Sequence, residues 1–163
     1  NTVTDVDGKL GSASAPYIAC YPDRTYEEWA SFRGLNPEAT DDLSDSDGDG
    51  IAQIMEYSLG MNPLRGDLER LDPEVPSSRG LPYLAQEKYN GRTYLVMTYR
   101  RRAEDPTISY QAQFGDGPGD FSPSLSDGVV TPIGDGWEEV RIRDEDASGT
   151  DARRFGRLKV TRK

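Results

Sequence analysis

From residue 83 onward the chain alternates apolar and polar side chains with a period of two, and turn residues interrupt the alternation at short intervals. The runs PYLAQEKY and RTYLVMTYRR flank Asn90-Gly91, a dipeptide that tolerates the two positive φ angles of a type I′ turn and so predicts a hairpin. Thr107 to Phe114, Gly128 to Pro132, Trp137 to Arg143 and Arg154 to Arg162 are further strand candidates, separated by GDGPGD, IGDG and DEDASGTD. Connections this short and turn-rich leave no room for crossover helices, so the strands must pair antiparallel. The predicted fold is mainly β, an antiparallel β-sandwich or small barrel, with a short N-terminal helical segment.

That helical segment is legible from its ends. Thr25 and Glu28 form a T-x-x-E capping box, Tyr26, Trp29 and Phe32 share one face, and Gly34 is placed to stop the helix, which predicts a helix over 26–33. A second helix is expected over 51–59, with Ile51, Ile54, Met55 and Leu59 on one side and Gly60 as terminator, its apolar face packed on that of the first. Between Pro63 and Pro82 the chain is rich in Pro and Gly and keeps no sustained period, the composition of a linker. The expected organisation is an extended segment over 1–24, a helix–loop–helix segment over 25–63, a linker over 64–82 and the β domain over 83–163.

Within the helical segment, Asp45 to Glu56 reads DSDGDGIAQIME and fits D-x-D-x-D-G-x5-E at every specified position. Calcium is a hard cation that takes six to eight oxygens. Acids at alternate positions 45, 47 and 49 can turn three carboxylates to one centre, Gly50 permits the sharp turn, and Glu56 closes the shell with both oxygens. Ile51 is expected to give its backbone carbonyl while its side chain enters the core, and Gln53 stands at the position that often acts through water. A bidentate closing glutamate suits calcium better than magnesium. Eleven residues, Gly34 to Ser44, separate the first helix from the loop, and no second complete loop follows. The acids of Asp116 to Asp120 and Asp144 to Asp151 lack the register and read as polar turns or as a second metal site.

Composition removes most hydrolytic chemistry. The 163 residues include no histidine and one cysteine, Cys20, which rules out Ser-His-Asp and Cys-His catalysis and His-ligated zinc. The net charge of −10 sits in the first half: residues 1–75 carry 16 acids against 5 bases, and 76–163 carry 13 against 14. Such a distribution disfavours nucleic acid and anionic lipid, and no apolar run is long enough to span a bilayer. A chain opening on Asn1 rather than Met is expected to be a mature or excised piece of a larger protein.

The run TYEEWASFRGL followed by DSDGDGIAQIMEYSLGMNP resembles the W-x2-F then D-x-D-x-DGDG-x2-N-x2-EY-x-LG-x-NP segment near the C-termini of large secreted proteins of Verrucomicrobia and Planctomycetes, related to thrombospondin type 3 and dockerin-like calcium loops. TYLVMTYRRR, ISYQAQF, GDGWEEVRIRD and RRFGRLKV are similar to the β module that often follows it. Asp45, Asp47, Asp49 and Glu56 match residue by residue, while Gln53 stands where Asn is usual. The resemblance implies a secreted or cell-surface, calcium-bound accessory module, covalently linked to an upstream domain that degrades polysaccharide or adheres.

The expected function is therefore a non-catalytic, calcium-stabilised binding or attachment module, with polysaccharide as the first ligand class. Tyr83, Tyr89, Tyr94, Tyr99, Tyr110 and Trp137 offer planar faces for sugar rings or, by the alternation of strands, pack in the core. Tyr94, Tyr99 and Trp137, with Arg100 and Arg102, are the expected ligand contacts, the arginines pairing with sulfate or carboxylate. Arg100 to Arg102 and Arg153-Arg154 are equally well explained as charges that discourage edge pairing. The alternative function is protein–protein interaction, as a dockerin-like or surface-layer structural domain binding a cell-surface protein. Acid–base catalysis by a pair such as Asp144 and Asp146 is a third reading, with no pocket-forming pattern behind it.

Overall fold

The computed structural model describes residues 25–36, 42–66, 68, 70–148 and 153–163. The expectations for residues 1–24, including Cys20, lie outside the described residues. Asn90 and Gly91 take φ of 49° and 77°, the two left-handed residues that a type I′ turn requires. They join β1 (Tyr83–Tyr89) to β2 (Arg92–Arg102), which pair antiparallel from Tyr89↔Arg92 to Tyr83↔Thr98. The other strands are β3 (Ile108–Gly115), β4 (Ser122–Pro123), β5 (Val129–Gly134), β6 (Trp137–Ser148) and β7 (Phe155–Arg162). They form two antiparallel sheets, one ordered β1-β2-β6-β5 and the other β4-β3-β7.

The alternation that predicts the strands also builds the core between the sheets. Leu95, Met97 and Tyr99 of β2, with Val140 and Ile142 of β6, meet Ala112 and Phe114 of β3, and Leu158 of β7 packs against them. Tyr99 is 1% exposed and stacks on Tyr110 at 6.1 Å between ring centroids. Close approach is possible at Gly156, where an added Cβ would lie 3.0 Å from Leu84 and 3.2 Å from Met97.

Helices α1 (Tyr26–Phe32) and α2 (Gln53–Leu59) pack on this β body. Both halves of the Thr25–Glu28 capping box form. Tyr26, Trp29 and Ala30 of α1 and Ile54 and Tyr57 of α2 share a second apolar cluster with Ile108 of β3, flanked by Tyr110 and Val160. Phe32, expected on the same face, is 50% exposed because the helix ends there and the chain turns away at Gly34. Ile51 and Ala52 stay in the loop, Ala52 with extended φ,ψ of −70° and 144°, so α2 starts at Gln53. It ends as expected at Gly60, in the left-handed region at φ 72°.

The stretch read as a linker is tied down. Leu71 is 2% exposed and donates its N–H to the Leu81 carbonyl, and Arg100 reaches the Val75 and Ser78 carbonyls at 2.6 Å each. Residues 70–82 thus cover part of the outward face of the four-stranded sheet. Absence of a period marked an irregular segment, but irregular backbone can still be fixed by side chains from elsewhere.

Candidate metal centre

The loop between Asp42 and Gln53 owes its shape to its own aspartates. Asp45 accepts from the N–H groups of Gly48 at 2.8 Å and Gly50 at 2.9 Å. The Gly50 N–H is the main influence holding the Asp45 carboxyl below its ordinary range, aided by those of Gly48 and Asp49. Asp47 Oδ1 accepts from Asp49 N–H at 3.2 Å, and Asp49 Oδ1 from Ile51 N–H at 2.7 Å. Gly48 and Gly50, at φ 79° and 89°, allow the chain to fold back on itself between these bonds.

This arrangement leaves one oxygen on each of two acids without a donor. Oδ2 of Asp47 and Oδ2 of Asp49 are buried and have no hydrogen-bond partner, and carboxylate oxygens of Asp45, Asp47 and Asp49 lie within 4.8 Å of one another. Buried acceptors held this close repel, and a hard divalent cation would satisfy them. The donor set, all oxygen and strongly anionic, fits calcium. Glu56 is 1% exposed in the first turn of α2 and is not one of the three carboxylates in that group.

Two side chains of the loop are placed differently from expectation. Gln53 is fully buried, its Oε1 accepting from the Tyr26 hydroxyl at 3.3 Å and its amide nitrogen donating to Ser46 Oγ at 2.5 Å. With both ends engaged it ties α1 to the loop and does not face a cation through water. Ile51 is half-buried, and it is Ala52, Ile54 and Met55 that join the apolar cluster.

Among the described residues, the loop is fastened by backbone and by one arginine. Gln53 N–H donates to the Ser44 carbonyl and Ile54 N–H to that of Asp42, at 2.8 and 3.1 Å. Arg162 of β7 then binds the Asp42 carboxylate at 3.0 Å and Glu27 of α1, and lies 4.9 Å over the Tyr26 ring. One turn beyond, Tyr57 donates its hydroxyl to Asp105 at 2.5 Å, and burial pushes its pKa up, helped by that bond. Arg102 lies 3.9 Å over the Tyr57 ring and 5.3 Å from Trp137, its Nε donating to the Tyr57 carbonyl at 3.1 Å. The helix that carries Glu56 is therefore wired to β2 and β6.

The structure corrects most of the expected ligand-binding set. Tyr99 and Trp137 are each 1% exposed, and Arg100 and Arg102 are 2% and 3% exposed, so none of the four meets a ligand at the surface. Alternation put Arg100, Arg102 and Trp137 on the face away from the core, but residues 70–82 and α2 cover that end of it; Arg100 also pairs with Glu139 at 2.9 Å. Tyr110 is half-buried, its hydroxyl donating to the Ser58 carbonyl and its pKa pushed up by burial to about 12. Tyr94 is half-buried and packs edge-on against Tyr89, which is 52% exposed; Tyr83 is 40% exposed. Sequence reasoning missed Arg143, which sits over Tyr89 and Tyr94 at 4.1 and 5.0 Å. Its alternation with Trp137 along β6 was visible, but its register against β1 and β2 was not.

Asp116, Asp144 and Asp146 do meet, around an arginine. Arg154 makes a two-pronged pair with Asp144 at 2.7 and 2.8 Å and reaches Asp116 at 2.8 Å and Asp146 at 3.3 Å, bordering a cavity of about 180 Å³. The Asp144 bond is the main cause that raises the Arg154 pKa. The guanidinium stands where a cation would have to sit, and among the described residues only Asp45, Asp47 and Asp49 form a metal-competent group. No helix among the described residues is long and apolar enough to cross a membrane. In comparisons with known proteins, the chain matches no family model, no curated protein and no solved structure.

Proposed function

We propose that the chain is a non-catalytic, calcium-stabilised binding or attachment module of a larger secreted or cell-surface protein. One calcium ion, held by Asp45, Asp47, Asp49, the Ile51 carbonyl and Glu56, clips the helical segment onto a β-sandwich. The observation that carries this reading is the pair of buried, donor-less oxygens on Asp47 and Asp49 inside a loop that fits the calcium motif throughout. When bound, the ion supplies charge neutralisation and fixes the loop. The chain's own residues do the rest: Gln53 links loop to α1, and Tyr57 with Arg102 links α2 to the sheets. The resemblance to C-terminal modules of secreted proteins supports the location. Asp144 and Asp146, which could have served as an acid–base pair, are engaged with Arg154.

Leu125 and Val129, 85% and 64% exposed beside the edge strand β5, favour the second reading, attachment to another protein. Both readings share the ion, and thermal unfolding tests it. Calcium at a hundred times its dissociation constant should stabilise the fold by about 2.7 kcal/mol, an increment that a chelator removes. Glu56→Ala should lower Tm in calcium and change it little in chelator. Equal Tm values for the parent chain in both conditions would overturn the proposal.

A further inference from the structure

The outward face of the four-stranded sheet is covered at one end and open at the other. Directly paired residues of antiparallel strands project to the same side, and the pairs Tyr89↔Arg92, Glu87↔Tyr94 and Val96↔Arg143 therefore put Tyr89, Arg92, Tyr94 and Arg143 together at the hairpin end. The pairing of β2 with β6 shifts register between Tyr94 and Val96, an irregularity of the kind that re-aims side chains. The two tyrosine rings lie 6.5 Å apart at 73°, and the Arg143 guanidinium lies over both.

Uncompensated charge and exposed aromatic surface coincide at this patch. Arg100, Arg101, Arg141, Arg154 and Arg162 are each held by a carboxylate. Among the described residues, the side chains of Arg92 and Arg143 have neither an ion pair nor a hydrogen bond, though both are exposed. Glu87, the acid on the same face, is taken by Arg141. Two uncompensated cations beside an exposed aromatic ring thus stand on a chain of net charge −10.

We propose that Tyr89, Tyr94 and Arg143, with Arg92 at the rim, are the docking surface for an anionic polysaccharide. A guanidinium laid over a ring still presents its in-plane N–H donors, so Arg143 can take a carboxylate or sulfate while Tyr89 stacks on the sugar ring beside it. A polymer as densely charged as nucleic acid is repelled by the acidic remainder of the chain, whereas a glycan bearing sparse charges meets two matching cations. The proposal rests on the reading of the chain as a binding module and does not depend on the calcium ion.

Affinity electrophoresis of the full chain in calcium, through gels holding hyaluronan, κ-carrageenan, dextran or poly-glutamate, tests it. Retardation by hyaluronan supports carboxylate recognition and retardation by κ-carrageenan supports sulfate, in either case stronger at low salt and absent with dextran. Arg143→Gln and Tyr89→Ala should each weaken it about tenfold, Arg143→Lys less, and Lys159→Ala on β7 not at all. Unchanged Tm would show that the variants fold. No retardation by either charged glycan, or full retardation of Arg143→Gln, overturns the proposal. Equal retardation by poly-glutamate replaces the glycan with an acidic protein, and equal retardation by dextran removes the anionic specificity while leaving the binding-module reading in place.

Discussion

Asp105 shows how a single carboxylate can join α2 to the β body. Burial pushes its pKa up, but bonds from Thr107 and Tyr57 outweigh burial and leave it below the ordinary value of 3.8. A carboxyl depressed in the folded state adds stability above its unfolded pKa and loses it as pH falls through the folded one. The Tyr57–Asp105 contact should therefore be intact at neutral pH, and its contribution should fall away only as pH drops below the ordinary carboxylate value of 3.8. Asp105→Asn should lower Tm at pH 7 and shrink the further loss on acidification, measured by thermal melts between pH 7 and 3. An acid sensitivity equal to that of the parent chain would place the titrating group elsewhere. Gln53 makes a related point. Its motif position suggested a water-mediated ligand, yet the Tyr26 hydroxyl that occupies its oxygen is far off in sequence and nothing near Gln53 announces it.

Elements whose signals are local were legible. Asn90-Gly91, the Thr25–Glu28 box and Gly60 each act through residues within a few positions, and each appears where the sequence puts it. What was not legible is which strand face lies open. Alternation separates Tyr99 from Arg100, but it cannot say that the Val75 and Ser78 carbonyls, from a stretch with no period, will close over Arg100. Gly60 joins the two kinds of information. Its φ of 72° caps α2, and a Cβ there would also lie 2.9 Å from Trp137. Gly60→Ala should cost about 1–3 kcal/mol, from left-handed strain together with overpacking. Gly91→Ala, at φ 77° with open space around it, should cost about 1–2 kcal/mol from strain alone. Denaturant melts would compare the two, and equal losses would argue against the Trp137 contact.

At the scale of the whole molecule, two sheets share one core and a small helical unit is fastened to them by Tyr57, Arg102 and Arg162. These contacts link the acidic loop to the β body. The central claim is that the loop's buried oxygens are cation ligands, and titration calorimetry of calcium into the chelator-stripped chain tests it most directly. The account predicts one site per chain, abolished by Asp49→Ala and much weakened by Glu56→Ala. No calcium binding by the parent chain, or binding untouched by Asp49→Ala, would contradict it.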